Sequence, residues 1–407
     1  MKLKIPSKII APFRYFFKHE ASSGIILLIC AILAIIIANS NLALPYDHLL
    51  HSYITIGYKE FSLSMSVLHW INDGLMVIFF FVVGMEIKRE LVVGELKSVK
   101  KTILPIASAI GGMILPAIIY AIFNYKEPTI SGWGVPMATD IAFALGILSL
   151  VGSKRAPKGI VVFLTALAIV DDLGAILVIA IFYTSEISWI ALLVALVVLA
   201  ALIVINKLKV KYSVIFIILG ILLWLSLLKS GVHATIAGVL LGLTIPVGQD
   251  YKEFKNSMLY KLEHALVPWS AFVIMPIFAL ANSGVTIDFS NFLTMILSPV
   301  SLGIISGLFI GKQLGIFITA YLLIRFKIAA LPSQVTLKHI YGASLLGGIG
   351  FTMSLFVASL SFEGGALLSV AKISIISASV LSAIAGILVF KSIKLENEKC
   401  VEVYENN

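Results

Sequence analysis

The sequence predicts an all-α integral membrane protein with twelve transmembrane helices and a small β-hairpin outside the membrane. Apolar residues make up 60% of the 407 residues and charged residues only 13%, whereas a soluble domain carries about 25% charged residues. In addition, runs of about 20 apolar residues recur along the chain, and each is long enough to cross a bilayer as a helix.

The predicted spans form one membrane domain over residues 1–395, and a short cytoplasmic tail follows over residues 396–407. The spans lie near residues 22–40, 66–87, 102–123, 131–150, 159–183, 189–205, 213–228, 231–247, 264–282, 298–324, 339–360 and 366–390. Cys30 lies in an apolar run and Cys400 in the tail, so neither a disulfide framework nor a paired-cysteine metal site is expected.

Basic residues in the loops indicate how the chain is oriented. Of the 30 Lys and Arg residues, 25 fall on one side of the predicted membrane. Lys59, Lys126 and Lys229 fall on the other side, while Lys312 and Lys372 lie inside spans. The positive-inside rule therefore places both termini in the cytoplasm. Because these residues are loop anchors, the net charge of +9 does not indicate a nucleic-acid partner.

The connection after the first span, residues 44–64, predicts a short β-hairpin. Its residues 53–63 alternate in polarity on either side of Gly57, as the two strands of a hairpin do. A hairpin exposed in this way could pair with its twin in a second copy, or it could be a loop without a partner.

Two spans carry signals of interruption. In the span 131–150, Pro136 removes a backbone donor and disfavours helix in the preceding residue, beside Thr139 and Asp140. In the span 339–360, three glycines within residues 347–350 weaken the helix. Interrupted helices expose backbone carbonyls that serve as ion sites in secondary transporters. The alternatives are a simple proline kink in the first span and close helix packing in the second.

Ionisable residues at membrane depth predict an ion pathway. Asp171 and Asp172 stand side by side in a nearly apolar span, where each carboxylate costs roughly 2.5–3.5 kcal/mol on insertion scales. Lys312 is a further intramembrane charge, which needs a carboxylate partner. Adjacent helical residues point about 100° apart, so one aspartate of the pair can face Lys312 while the other joins Asp140 in facing a cation.

The residues around Lys312 do not form a nucleotide site, because Gln313 replaces the Ser or Thr that would hold magnesium and the spacing of the P-loop is not kept. The carboxylates instead suit a hard cation such as sodium, which prefers oxygen ligands. Protons compete for the same oxygens, and this competition is sufficient for coupled antiport. If two protons replace each sodium ion, the cycle moves net charge across the membrane.

The remaining polar groups near span ends are weaker signals. Glu86 and Glu90 could belong to a solvated, salt-bridged helix end, and His233 could report pH or simply form a hydrogen bond. Lys372 is expected to have a structural role. Asp73 is a possible pathway carboxylate without a clear partner.

Four motifs together resemble the NhaA-type bacterial sodium/proton antiporters. They are residues 163–180 with the aspartate pair, 132–146, 229–238 and 347–354, and the resemblance extends in order over residues 10–395. It implies a protein of the bacterial inner membrane, in which spans three to five and ten to twelve form inverted repeats whose broken helices cross near the midplane. It also implies a homodimer formed through the hairpin near residues 45–64.

The resemblance further implies a role for each site residue. Asp172 would bind sodium, Asp171 would pair with Lys312 and carry a proton while contributing to the sodium site, and Asp140 and Thr139 would shape the crossing. A second set would set the pH response at a cytoplasmic funnel: Glu86, Arg89, Glu90, Glu263 and His233. The sequence departs from the best-known family pattern at Gln313 in place of Pro, at Val267 in place of His and at Tyr260 in place of Lys. The last two put the pH setpoint in doubt, but not the exchange chemistry.

The function predicted is therefore electrogenic, pH-regulated export of sodium, and of lithium, with about two protons entering per cation. Neither a cofactor nor a nucleotide is expected. An intramembrane aspartyl protease needs a Gly-x-Gly-Asp motif, whereas Phe351 follows Gly348-Ile349-Gly350 here. A passive cation channel is disfavoured by the buried Lys312. A sodium-coupled symporter of related fold remains an alternative.

Overall fold

A computed structural model describes residues 7–57, 62–94, 99–184, 187–210, 212–248, 251–287, 292–362 and 364–393. The predicted tail 396–407 and residues 58–61 of the predicted hairpin lie outside this part of the chain. The helices are α1 (Ser7–Ala38), α2 (Ala43–His51), α3 (Val67–Val92), α4 (Val99–Phe123), α5 (Ile141–Val151), α6 (Lys158–Phe182), α7 (Trp189–Lys207), α8 (Ser213–Ser230), α9 (Ile236–Thr244), α10 (Tyr251–Asn256), α11 (Met258–Asn282), α12 (Phe292–Ile296), α13 (Pro299–Arg325), α14 (Leu337–Gly347), α15 (Phe351–Ser361) and α16 (Gly365–Ser392).

The helices make this a multi-pass membrane protein. Within the described ranges, eight helices are long and apolar enough to cross a membrane, or up to eleven spans are present if each of three bent helix pairs counts as one. The sequence predicts twelve. One difference concerns the predicted span 231–247, of which only the nine residues of α9 form a helix. Gly231 ends α8 in a left-handed conformation, with φ +82°, and α9 begins only at Ile236.

The predicted hairpin is confirmed. Its strands are β1 (Tyr53–Ile56) and β2 (Leu63–Ser66), which pair antiparallel with Tyr53 opposite Ser66 and Ile56 opposite Leu63. All four residues of β1 are exposed.

Both predicted interruptions are present as breaks. A 3₁₀ helix, Pro128–Met137, precedes α5 at a bend of 42°, and α14 meets α15 at 41°. Pro136 lies inside the 3₁₀ helix, and the extended break follows it at Ala138 and Asp140. Ten residues is long for a 3₁₀ helix, whose hydrogen-bond geometry is poor.

The two breaks contact each other directly. The backbone N–H of Asp140 donates to the Ile349 carbonyl at 2.7 Å, and the Ser354 hydroxyl donates to the Val135 carbonyl at 2.8 Å. Each broken span therefore satisfies backbone groups that the other leaves open, as buried backbone requires inside a membrane.

Three spans contain one π-helical turn each, at Trp70–Leu75 in α3, Ser270–Ile274 in α11 and Gly307–Gly311 in α13. Such turns are often found at functional sites. The last of them immediately precedes Lys312. Helix α13 also packs closely on α4, because a Cβ atom added at Gly315 would lie 2.2 Å from the Gly111 carbonyl oxygen. Small residues allow this approach of backbones.

Candidate functional site

Lys312 is fully buried and is held between the first broken span and α6. Its ammonium group donates to Asp171 Oδ2 at 2.6 Å and also to the Met137 carbonyl. Met137 is the last residue of the 3₁₀ helix, where carbonyls lack helical partners and a cation is favourable. The ion pair therefore ties the Lys312 helix both to a carboxylate and to the end of a half-helix.

Asp171 receives its hydrogen bonds on one oxygen. The Thr139 hydroxyl is 2.6 Å from Asp171 Oδ2 and 2.9 Å from the Gly347 carbonyl, so it lies between α6 and the second broken span. Asp171 Oδ1 is buried and accepts no hydrogen bond from the described residues. A carboxylate with one oxygen free of donors can take up a proton or contact a cation.

Asp140 is occupied on both oxygens. Its Oδ1 accepts the Phe143 N–H at 3.0 Å, which caps α5. Its Oδ2 accepts the Thr352 N–H at 3.1 Å and the Thr352 hydroxyl. The Asp140 side chain thus joins the first broken span to the start of α15. Both oxygens of Asp140 therefore accept hydrogen bonds from the described residues, and its predicted place beside the cation stays a prediction.

The surroundings of the Asp172 carboxylate differ from those of Asp171. It is 3% exposed, and its Oδ1 accepts no hydrogen bond within the described part of the chain. Asp171, Asp140 and Glu86 repel its charge, and Lys312 attracts it. An unbonded carboxylate oxygen in a field of like charges favours a bound cation or proton.

A cavity of about 390 Å³ lies beside α6. On α6 it is lined by Thr165 and Ile169, which share a helix face with Asp172 because they precede it by seven and three residues. Exposed His264 lies among the residues that line the cavity. The cavity therefore lies on the same side of α6 as Asp172, but Asp172 is not among its described lining residues.

Most of the residues implied for the pH response lie around this cavity. Glu86, Arg89 and Glu263 line it. Arg89 pairs with buried Glu263 and, at 3.0 Å, with Glu90. Ion pairs thus join Arg89, Glu90 and Glu263, and Glu86 lines the same cavity, so the four side chains form a charge cluster between α3 and α11.

The structure does not bring His233 into this cluster. Its Nε2 lies 2.6 Å from the Tyr183 carbonyl, which can only accept, so Nε2 carries a proton. Tyr183 directly follows α6, at the end of that helix remote from Lys158. His233 therefore lies at the opposite end of the spans from the Arg89 cluster.

Two other intramembrane charges lie apart from the aspartate pair. The Lys372 ammonium donates to the Gly284 carbonyl at 3.2 Å, in keeping with the structural role expected for it. Asp73 lies in the π-helical turn of α3, and its carbonyl accepts the Trp224 indole N–H at 2.9 Å. A second cavity, of about 590 Å³, lies between α3, α8 and α9, and its described lining contains no ionisable side chain.

Sequence reasoning did not single out three groups of the site. They are the side chain of Thr352 and the carbonyls of Met137 and Gly347. Thr352 lies two residues after Gly350, and this position in the first turn of a half-helix could have identified it. No pattern in the sequence identifies which carbonyls face the ion pair.

Comparison with known proteins places this site in context. The family model described as Na⁺/H⁺ antiporter 1 matches residues 14–390. A protein of Clostridium beijerinckii named Na(+)/H(+) antiporter NhaA 2 is 69% identical over 399 residues, covering 98% of each chain. A Pelagibacter ubique protein named Na(+)/H(+) antiporter NhaA is 49% identical, covering 94% of this chain and 98% of its own.

A similar fold occurs in the solved structure of the sodium proton antiporter MjNhaP1 from Methanocaldococcus jannaschii at pH 8. The TM-score is 0.53 at 17% identity, with 91% of this chain and 92% of that chain covered. At this identity the likeness concerns the fold alone.

Proposed function

The chain belongs to the Na⁺/H⁺ antiporter 1 family, and from this premise we propose that it exports sodium across a bacterial inner membrane in exchange for protons. This membership confirms the resemblance found in the sequence motifs. The observation that carries the proposal is the buried Asp171–Lys312 pair beside Asp172, whose carboxylate has a buried oxygen that accepts no hydrogen bond from the described residues.

The two aspartates have different roles in this proposal. Asp172 binds the sodium ion, with Asp171 Oδ1 and nearby hydroxyl, carbonyl or water oxygens completing a hard-cation site. No three Asp, Glu, His or Cys side chains of the described residues are placed to hold a metal ion, so neutral oxygens supply part of the coordination. Protonation of Asp172 abolishes its bond to sodium. Thr139 and Asp140 hold the crossing in shape around the site.

The proposed cycle is electrogenic because the total charge of the loaded site differs between its sodium-bound and its protonated state. With sodium bound, the two carboxylates, the Lys312 ammonium and the ion sum to zero. With a proton on each aspartate, the same groups sum to +1. Exchange of two protons for one sodium ion therefore moves one positive charge inward per cycle, and the membrane potential can drive it.

We further propose that lithium is transported as a second small cation that prefers oxygen ligands. The charge cluster of Glu86, Arg89, Glu90 and Glu263 sets the pH response, because it surrounds the cavity through which protons and cations reach Asp172. His233 is proposed to act on this response from the opposite end of the spans.

The proposed architecture has twelve spans with both termini in the cytoplasm, and its inverted repeats cross at the two breaks. The one-sided distribution of basic loops supports the orientation. A homodimer is proposed to form through the hairpin, where Tyr53 is 74% and Ile56 is 58% exposed. An exposed strand edge is a template for pairing with another chain.

The test is sodium-induced proton release from the purified protein in vesicles. Asp172→Asn is expected to abolish exchange, because a neutral amide binds sodium weakly and takes up no proton. Asp73→Asn is the matched control, since it removes another carboxylate from a span and should leave exchange near the wild-type rate. Exchange at the wild-type rate in Asp172→Asn would overturn the proposal. Sodium movement against its gradient, driven by protons, distinguishes antiport from passive conduction.

A further inference from the structure

Gln313 directly follows Lys312 on α13 and makes a contact that the proposed function does not use. The Tyr341 hydroxyl of α14 donates to Gln313 Oε1 at 3.1 Å. Gln313 is 9% exposed, so its side chain lies inside the protein. Gln313 stands where the best-known family pattern has Pro, whose side chain accepts no hydrogen bond. The contact therefore depends on the glutamine of this chain.

The ring of Tyr341 packs on the same face of α13. Phe317 lies one turn after Gln313, and its ring centroid is 5.3 Å from that of Tyr341 at an interplanar angle of 76°, the edge-to-face arrangement that aromatic rings prefer. Residues four apart share a helix face, so Gln313 and Phe317 together form the surface that Tyr341 contacts. A hydrogen bond and a ring contact thus join α14 to α13 beside Lys312.

Residues 312 and 313 contact different broken spans. The Lys312 ammonium donates to the Met137 carbonyl at the end of the 3₁₀ helix and to Asp171 of α6. Gln313 instead accepts from Tyr341, in the first half of the second broken span. Adjacent residues on a helix point about 100° apart, so the two contacts together fix the rotation of α13 about its axis at Lys312.

The turn that precedes Lys312 makes this rotation important. It is π-helical, and the Lys312 backbone N–H donates to the Gly307 carbonyl five residues earlier. A π-turn holds one residue more than an α-turn, so tightening it to an α-turn would rotate Lys312 by about 100° relative to the preceding part of the helix. A side-chain contact directly after the turn opposes that rotation, and the bond between Gln313 and Tyr341 is such a contact.

From these contacts we propose that Gln313 and Tyr341 are positioning residues for Lys312. Neither binds the ion or the proton, and their hydrogen bond fixes the direction in which the Lys312 ammonium points. The expected effect on transport rests on the proposed antiport function. Without the hydrogen bond, the ammonium leaves the Met137 carbonyl part of the time and competes with sodium for the oxygens of the aspartate pair, so exchange needs more sodium.

Sodium-induced proton release from vesicles at a fixed pH, with the rate given per folded protein, tests this effect. Tyr341→Phe removes the donor, and Gln313→Met removes the acceptor while keeping an unbranched side chain. Each should raise the sodium concentration for half-maximal exchange by about three- to fivefold, the factor that corresponds to one net hydrogen bond. The maximal rate should change by less than about twofold, whereas simple loss of folded protein would leave the half-maximal sodium concentration unchanged.

A matched control and a double variant separate positioning from stability. Tyr321→Phe removes the hydroxyl of another tyrosine whose ring lies near Phe317, with centroids 6.3 Å apart, and should leave the half-maximal sodium concentration unchanged. Replacing both partners of a hydrogen bond by apolar groups can be nearly neutral for stability. Gln313→Met combined with Tyr341→Phe should therefore regain stability, yet keep the raised sodium requirement of the single variants.

Two outcomes of these measurements would overturn the proposal. One is a wild-type sodium dependence in Tyr341→Phe, since the ammonium would then keep its place without the hydrogen bond. The other is a return to the wild-type sodium dependence in the double variant, since the contact would then matter only for stability.

Equilibrium unfolding in mixed micelles tests the positioning without exchange. Tyr341→Phe is introduced into the wild-type chain and into a chain that carries Asp171→Asn and Lys312→Met. Effects at independent sites multiply, whereas linked contacts do not. The factor by which Tyr341→Phe raises the unfolding equilibrium constant should be at least about threefold smaller in the chain without the ion pair. Equal factors in the two chains would overturn the positioning role. Wild-type protein that shows the smaller factor but exchanges no sodium for protons would overturn the proposed function instead.

Discussion

Removal of the Lys312 side chain should lower the free energy of unfolding, because it leaves the Asp171 carboxylate buried without its cation. Lys312 and Asp171 are both fully buried and 2.6 Å apart. In Lys312→Ala the Asp171 carboxylate loses its cation and keeps only the Thr139 hydroxyl as donor. Removing one partner of a buried ion pair typically destabilises a protein by about 3–5 kcal/mol, since the remaining charge is buried without compensation.

A second substitution separates this cost from simple loss of packing. In Asp171→Asn combined with Lys312→Met, both charges are absent and the long apolar side chain refills the space of the lysine. Replacing a buried pair as a whole is often neutral, so the double variant should recover most of the lost stability. Both variants should lack sodium/proton exchange. Restored stability without exchange would show that the pair is kept for transport.

Equilibrium unfolding in mixed micelles, with increasing denaturing detergent, measures these differences. The loss in Lys312→Ala should be small at low pH, where a proton neutralises Asp171, and should grow as the pH rises. A loss below about 1 kcal/mol at high pH would contradict the buried-charge reasoning, since an exposed pair contributes only that much. A double variant as unstable as Lys312→Ala would contradict it too.

Two further predictions concern the crossing and the cavity. Thr352→Val should lower the free energy of unfolding by about 1.5–3 kcal/mol, because a hydrogen bond to a charged group is lost, and should raise the sodium concentration for half-maximal exchange. Thr352→Ser, which keeps the hydroxyl, should do neither, and a wild-type sodium dependence in Thr352→Val would contradict the role given to the crossing. Glu263→Gln should move the pH profile of exchange to lower pH, because the cavity becomes more positive and repels protons. A profile unchanged in vesicles at low salt would remove Glu263 from the pH response.

The sequence predicted contacts best for charged side chains inside the membrane, because few arrangements of buried charges are energetically acceptable. Two carboxylates and a lysine inside apolar spans need one another, so a contact of Lys312 with one of the two aspartates follows from burial cost alone. The assignment of that contact to Asp171 came from the family resemblance, and the structure shows it. Helix geometry then separates Asp171 from Asp172. The breaks were predictable for a similar reason, because Pro136 and the glycines at 347–350 weaken helices locally.

Contacts between distant parts of the chain could not be read in the same way. Thr352 meets Asp140 across 212 residues, and nothing local to either residue encodes that meeting. The short α9 was missed because hydropathy gives the length of an apolar run, not the point where Gly231 and its neighbours turn. His233 was grouped with Glu263 through resemblance, whereas its hydrogen bond to Tyr183 places it at the other end of the spans.

Asp140 shows most clearly how the structure changes the sequence-based hypothesis. Three intramembrane aspartates suggested that Asp140 faces the cation together with one member of the pair. Its oxygens instead accept Phe143 and Thr352, and its N–H donates to Ile349, so it holds both breaks in contact. A sodium ion bound to Asp140 Oδ2 would compete with the two hydrogen bonds from Thr352 for the lone pairs of that oxygen. We therefore propose that the tasks are separate. Asp140 keeps the two breaks in contact, while Asp171 Oδ1 and Asp172 Oδ1, which accept no hydrogen bond from the described residues, are available to the cation and the protons.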